Sequence, residues 1–92
     1  MTNAIVLLSA ERDRINEVAQ ALVEIDGISE VYSVAGRYDL VAVVRARDDD
    51  QLAAIVTENM LKIDGITASE TLIAFRVLSR YDLERMFAIG ID

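Results

Sequence analysis

The sequence predicts an α+β domain of element order β-α-β-β-α-β, and three observations carry that expectation. Short, β-rich apolar runs of strand length alternate with two longer stretches in which apolar residues recur at helical spacing. The tetrapeptide Ile-Asp-Gly-Ile occurs at Ile25–Ile28 and returns at Ile63–Ile66, each time closing a helical stretch and leading into a strand. A length of 92 residues suits one domain with a single modest core.

The elements follow in order. Asn3 to Ser9 is a β-rich run of strand length. From about Asp13, Ile15, Val18, Ala19, Leu22 and Ile25 form one helical stripe, with Arg14, Glu17 and Gln20 off it. Gly27 stands where a left-handed cap ends that helix. Glu30 to Ala35 alternates like a strand, and Leu40 to Ala46 is a second. Asp48, Asp49 and Asp50 precede another helical stripe of Leu52, Ile55, Val56, Met60 and Ile63, with Gly65 just beyond it. Acidic residues at that position stabilise a helix N-terminus by capping and through its dipole. They lack the spaced oxygen ligands and the glycine of a calcium loop. Ser69 to Leu78 reads as a longer last strand.

Two β-α-β halves meeting at a central hairpin form the ferredoxin-like pattern, with both helices on one face of a four-stranded antiparallel sheet. The other face should then be polar in a monomer. Yet Leu40 to Val44 is apolar without a break. The last strand also reads as two-sided, with Ile73, Phe75 and Val77 on one side and Leu72, Ala74 and Leu78 on the other. Strands apolar on both sides are covered on both sides. A second copy is the economical cover, so a dimeric α/β barrel packed sheet to sheet is expected.

Composition narrows the chemistry. With 16 acidic against 9 basic residues the net charge is −7, which argues against direct binding to a phosphate backbone. There is no Cys and no His, so thiol chemistry, the usual general base and the commonest metal ligand are all missing. No carboxylate pair stands at a recognisable catalytic spacing. The expectation is no catalytic residue, no metal and no cofactor. The N-terminal run lacks the features of a secretory signal or a membrane span, so a cytoplasmic protein without membrane contact is expected.

The string Arg-Tyr-Asp-Leu appears twice, after Gly36 and after Ser79. The first copy lies between two strands, where Gly36 and Asp39 are accounted for by turn chemistry. The second starts a short amphipathic tail: Ser79 and Asp82 resemble a capping box, and Leu83, Met86 and Phe87 follow at helical spacing before Gly90. Domain bounds of 1–78 for the folded unit and 79–92 for a C-terminal helical tail follow. That tail also carries Tyr81 and Ile89, an apolar set expected to be buried against a neighbour. The two copies serve different purposes.

Val34 to Leu52, with its Gly-x-Tyr-Asp-Leu between apolar strands and its acidic run before a helix, resembles the signature region of the ligand-binding domain of the leucine-responsive/asparagine regulator (Lrp/AsnC) family. Asp64 to Leu78, where small hydroxyl residues enter the last strand, resembles that family's second characteristic stretch. The resemblance implies the same β-α-β-β-α-β fold. It also implies dimers joined in octamers or larger closed rings, with small effectors, mostly amino acids, bound in clefts where dimers meet. Carried over by position, one wall of such a cleft is Gly36, Tyr38 and Asp39, and the other is Thr67, Ser69 and Thr71. A zwitterion needs donors for its carboxylate, which turn N–H groups and Arg37 offer, and an anion for its ammonium, which Asp39 or Glu70 offers. The three hydroxyls share one parity, so in an extended segment they point the same way. Threonine is also ordinary in strands. Family regulators carry an N-terminal helix-turn-helix, whereas this sequence begins at its first strand. The expectation is therefore a sensing and oligomerisation module without its own DNA-binding element, acting through its effector or through co-assembly with a full-length relative. The alternatives left open are a small dimeric-barrel enzyme and a purely structural assembly module.

Overall fold

The computed structural model describes residues 1–78 and residue 80. Four strands, β1 (Thr2–Ala10), β2 (Ile28–Ser33), β3 (Leu40–Ala46) and β4 (Ile66–Ile73), form one sheet in the order β2-β3-β1-β4, with every neighbouring pair antiparallel. A 3₁₀ turn (Arg12–Arg14) leads into α1 (Ile15–Val23). α2 (Asp49–Ala54) continues as a π-helical stretch, Ile55–Met60. This is the ferredoxin-like α+β arrangement expected from the element order.

The core lies between the helices and one face of the sheet. Ala4, Val6 and Leu8 of β1 and Leu40, Ala42, Val44 and Ala46 of β3 meet Val18 and Leu22 of α1, and Leu52, Ile55 and Met60 from the second helix. Among the described residues thirteen are buried in this cluster, and all of them are apolar. The cluster therefore carries no desolvation cost from a polar side chain.

The second helix departs from regular α geometry for a reason visible in its sequence. Ile55 and Met60 are both buried, but they are five residues apart. A 3.6-residue period cannot hold both on one face, whereas a π turn can. The Leu61 N–H accordingly bonds to the Val56 carbonyl, 3.0 Å away. The N-terminus of α2 meets the capping expectation. The Asp48 carboxylate accepts from the Gln51 N–H at 2.8 Å, and the Gln51 side chain accepts in return from the Arg47 N–H. Asp49 accepts from the Thr2 hydroxyl at 2.9 Å, tying the helix to the start of the sheet.

Both Ile-Asp-Gly-Ile copies end their helices with a glycine at positive φ, 100° at Gly27 and 102° at Gly65. A Cβ on Gly27 would stand 2.5 Å from the Ile55 Cδ1. Gly27→Ala is expected to destabilise the domain by roughly 1–3 kcal/mol, combining backbone strain with core crowding, as read from its thermal midpoint.

The last strand differs from expectation at both ends. It starts at Ile66 rather than Ser69 and stops at Ile73 rather than Leu78. Among the described residues its one neighbour is β1, and the pairing runs out there: Ala4 faces Ile73, and the Ala74 N–H bonds to the Asn3 carbonyl at 2.9 Å. Phe75, Val77 and Leu78, expected as strand residues, are exposed beyond the strand end. The amphipathic tail expected over 79–92 lies outside the described residues except for residue 80.

Candidate functional site

The face of the sheet turned away from the helices carries Ile5, Val43 and Leu72, which lie side by side through the registers Ile5–Val43 and Ile5–Leu72. Ile5 is 42% exposed and Leu72 47% exposed in the single chain. Glu30 and Tyr32 of β2 stand opposite Val43 and Val41 on the same face. The Tyr32 phenol donates to the Glu30 carboxylate at 2.6 Å. That bond, reinforced by the carboxylate's charge, raises the phenol's pKa above its ordinary value. The apolar second face read from the sequence is thus present on β1, β3 and β4. The exposed Ile73 lies opposite Ala4, on the helix side, rather than facing the same way as Leu72.

At one end of this face the β2–β3 turn reaches over β1 to β4. The turn is closed by the Val34 N–H bonding to the Asp39 carbonyl at 3.0 Å. Asp39 then fastens it to β1 twice. Its N–H donates to the Leu8 carbonyl at 2.9 Å, and its Oδ2 accepts from the Ala10 N–H at 2.9 Å. The β1–β3 pairing ends at Leu8 and Leu40, so on that side of β1 a side-chain acceptor supplies the Ala10 N–H beyond the last backbone pair. This fixes the neighbouring residue: the Tyr38 hydroxyl donates to Glu70 Oε1 at 3.2 Å, joining the turn to β4 across 32 residues of sequence.

The expected site residues divide around this contact. Tyr38, Asp39 and Glu70 come together. Gly36 is exposed with φ 143°, and a Cβ built on it meets nothing within 4 Å, so the backbone there is open to approach. Arg37 is exposed beside it. The hydroxyl row does not act as one wall. Ser69 and Thr71 stand opposite Leu8 and Val6, which face the helices, whereas Glu70 stands opposite Leu7 on the open face. Thr71 lines a groove of about 270 Å³ with Leu52, Val56 and Thr57 of the second helix and with Ile73. Thr67 falls where the β1–β4 register shifts, Ser9 facing Ala68 and Ala10 facing Ile66. Because β4 is an edge strand, its two sides meet around that edge, and the hydroxyls are reached from Tyr38 only by going round it.

Two features were missed in the sequence. The fastening role of Asp39 depends on β1 running on past the end of its pairing with β3, which leaves no local signal. The Tyr38–Glu70 contact depends on β4 lying next to β1. A third feature, a small cavity bounded by Asn3 and Arg45 at the other end of the open face, has no motif.

The chain matches the family model described as the Lrp/AsnC ligand binding domain over residues 3–83. It is 35% identical over 66 residues to the HTH-type transcriptional regulator LrpA1 of Halobacterium salinarum, covering 72% of this chain and 46% of that protein. A crystal structure of a Thermus thermophilus protein, TTHA0845, superposes with a TM-score of 0.81 at 41% identity, covering 87% of this chain and 100% of that one. The transcriptional regulator NMB0573 of Neisseria meningitidis, solved as its L-Met complex, shares the fold with a TM-score of 0.77 at 12% identity, covering 86% of this chain and 53% of its own. The chain spans about half the length of the curated relatives it matches.

Proposed function

Because the chain belongs to the Lrp/AsnC family of ligand-binding domains, we propose that it senses a small effector of the amino-acid class and couples that binding to self-assembly, without catalysing a reaction. The observation that carries this reading is the Tyr38–Glu70 hydrogen bond, which brings the β2–β3 turn against β4. The turn offers the exposed backbone at Gly36 and the Arg37 side chain for a carboxylate, and Glu70 with the second Asp39 oxygen for an ammonium. The fold-level neighbour from Neisseria meningitidis, solved with L-Met, is consistent with that ligand class. Regulators among the relatives support a role in transcription; co-assembly with a full-length relative is one route to it.

The apolar open face supports a sheet-to-sheet dimer, with Ile5, Val43 and Leu72 at its centre. Larger rings of such dimers, as the resemblance implies, would place the turn and β4 near a dimer–dimer boundary. A thermal-shift screen against the protein amino acids tests the effector reading. A stabilising amino acid is expected. Gly36→Val should remove the shift by forcing a strained backbone and filling the approach. Tyr38→Phe should weaken affinity by roughly 3–10-fold, since it releases Glu70 from the turn at the cost of one hydrogen bond. An effector that binds both variants unchanged places the site elsewhere.

A further inference from the structure

We infer that the groove between α1 and β2, on the helix side of the sheet, is the seat of this chain's own C-terminal segment, Tyr81 to Ile89. The groove holds about 370 Å³ and is lined by Ala19, Gln20, Val23, Glu24 and Val31. Ala19 and Val23 stand four residues apart on α1, one position on from the buried Val18 and Leu22, and so form a second apolar flank on that helix. Val31 stands opposite the buried Ala42 and therefore projects to the helix side. Val23 is nonetheless 58% exposed. The proposed sheet-to-sheet dimer uses the other face and leaves this groove bare.

The course of the chain names the occupant. Beyond the end of β4 at Ile73 it turns back across the sheet: the Ala74 N–H bonds to Asn3 of β1, and Val77 borders the same hollow as Val43 and Arg45 of β3. Only β2 separates β3 from the sheet edge on that side, one strand spacing of about 4.8 Å. Leu78 to Arg80, at about 3.3 Å per extended residue, cover about 10 Å and so reach round that edge. The groove beside α2, lined in part by Thr71 and Ile73, lies two strand spacings back in the opposite direction, beyond β1 and β4.

Chemistry points the same way. From Ile15 to Gly36 the chain carries Glu17, Glu24, Asp26 and Glu30 and no Lys or Arg, so the rim of the groove is acidic. The incoming segment brings a cation first: Arg80, Leu83 and Phe87 fall on one helical stripe, with Met86 beside them and Asp82 and Glu84 flanking it. Arg80 meets the Glu24 carboxylate at the rim, and Leu83, Met86 and Phe87 fill the apolar floor.

The seat also answers a need of the sheet. β2 is an edge strand whose one neighbour among the described residues is β3. Covering an open edge with a helix or loop is how native sheets prevent edge-to-edge association. A segment this short does not hold a helix alone in water, and it gains order from such a seat. The groove belongs to one chain and to the helix side, so the inference does not rest on the effector reading.

Because the sequence holds no Cys, introduced thiol pairs report the seat directly in the full chain. Gln20→Cys with Met86→Cys should close a disulfide within one chain under mild oxidation, read by mass spectrometry at the single-chain mass. Thr57→Cys with Met86→Cys, which sets the first thiol beside the α2 groove, should close at least about tenfold more slowly, because the seated segment is held away from it. Adding Phe87→Asp to the first pair should slow closure by about tenfold, as the apolar contact is lost. Adding Glu24→Arg should slow it by about twofold to fivefold, the scale of an exposed ion pair, and adding Arg80→Glu to that variant should restore the rate. The inference is overturned if the first pair closes no faster than the second, or if Phe87→Asp leaves its rate within twofold. It is also overturned if the bond forms between chains, at twice the single-chain mass, which would seat the segment on a second copy.

Discussion

Leu72→Asp is expected to turn the proposed sheet-to-sheet dimer into monomers without unfolding the chain. Leu72 sits on the open face beside Ile5 and is 47% exposed in one chain, so an aspartate there is solvated as long as the face is bare. Covered by a second sheet, the same carboxylate is cut off from water. Two-fold symmetry places it in the interface twice. Loss of the leucine's burial and the desolvation of an unpaired charge together amount to roughly 3–5 kcal/mol per site, enough to raise the dimer Kd by at least a thousandfold. Light scattering at micromolar concentration should move from the dimer mass, twice 10.2 kDa, to 10.2 kDa. Far-UV circular dichroism should hold. Ile73→Asp, on the helix side of the strand, should leave the dimer in place. A dimer that survives Leu72→Asp would show that the open face is not the contact.

Asp39→Ala carries the second large effect, and it acts on the fold before it acts on any ligand. Truncation removes the acceptor at 2.9 Å from the Ala10 N–H, leaving a part-buried donor unmet at the end of β1. A lost bond to a charged group costs about 1.5–3 kcal/mol. In a domain this small each kcal/mol lowers Tm by about 4–8 °C, so a drop of roughly 6–24 °C is expected. Asp39→Asn keeps a side-chain acceptor in place and should lose less than half as much. Equal losses for the two variants would show that the Ala10 bond contributes nothing. The pair also separates roles in binding: an effect of Asp39→Asn on effector affinity, at preserved Tm, isolates the carboxylate's charge.

How far the sequence could be read depended on whether the deciding contact was local. The third strand was legible at both its ends, because Leu40 to Ala46 is an uninterrupted apolar run between a turn and an aspartate cluster. The helix caps at Asp48, Gly27 and Gly65 were legible for the same reason: each is settled within one turn of chain. The end of β4 was not. Its sequence remains strand-like to Leu78, and only the length of β1 stops it at Ile73. The π stretch depended on burying Ile55 and Met60 together. In the site, the Gly36–Asp39 turn was visible as a turn, but its partner on β4 was not, since Tyr38 meets Glu70 only once β4 has paired with β1. Reading Thr67, Ser69 and Thr71 as one row assumed an unbroken strand. The register shift at Ser9 and Ala10 breaks it, and Glu70, between them in sequence, is the residue on the Tyr38 side.

The central claim is that an amino-acid effector binds where the β2–β3 turn meets β4. Amide chemical-shift mapping of the full chain, titrated with each protein amino acid in turn, tests it most directly. The predicted result is saturable perturbation by at least one amino acid, centred on the amides of Gly36 to Asp39 and of Thr67 to Thr71, and lost in Gly36→Val. No saturable perturbation of those amides by any amino acid would contradict the claim.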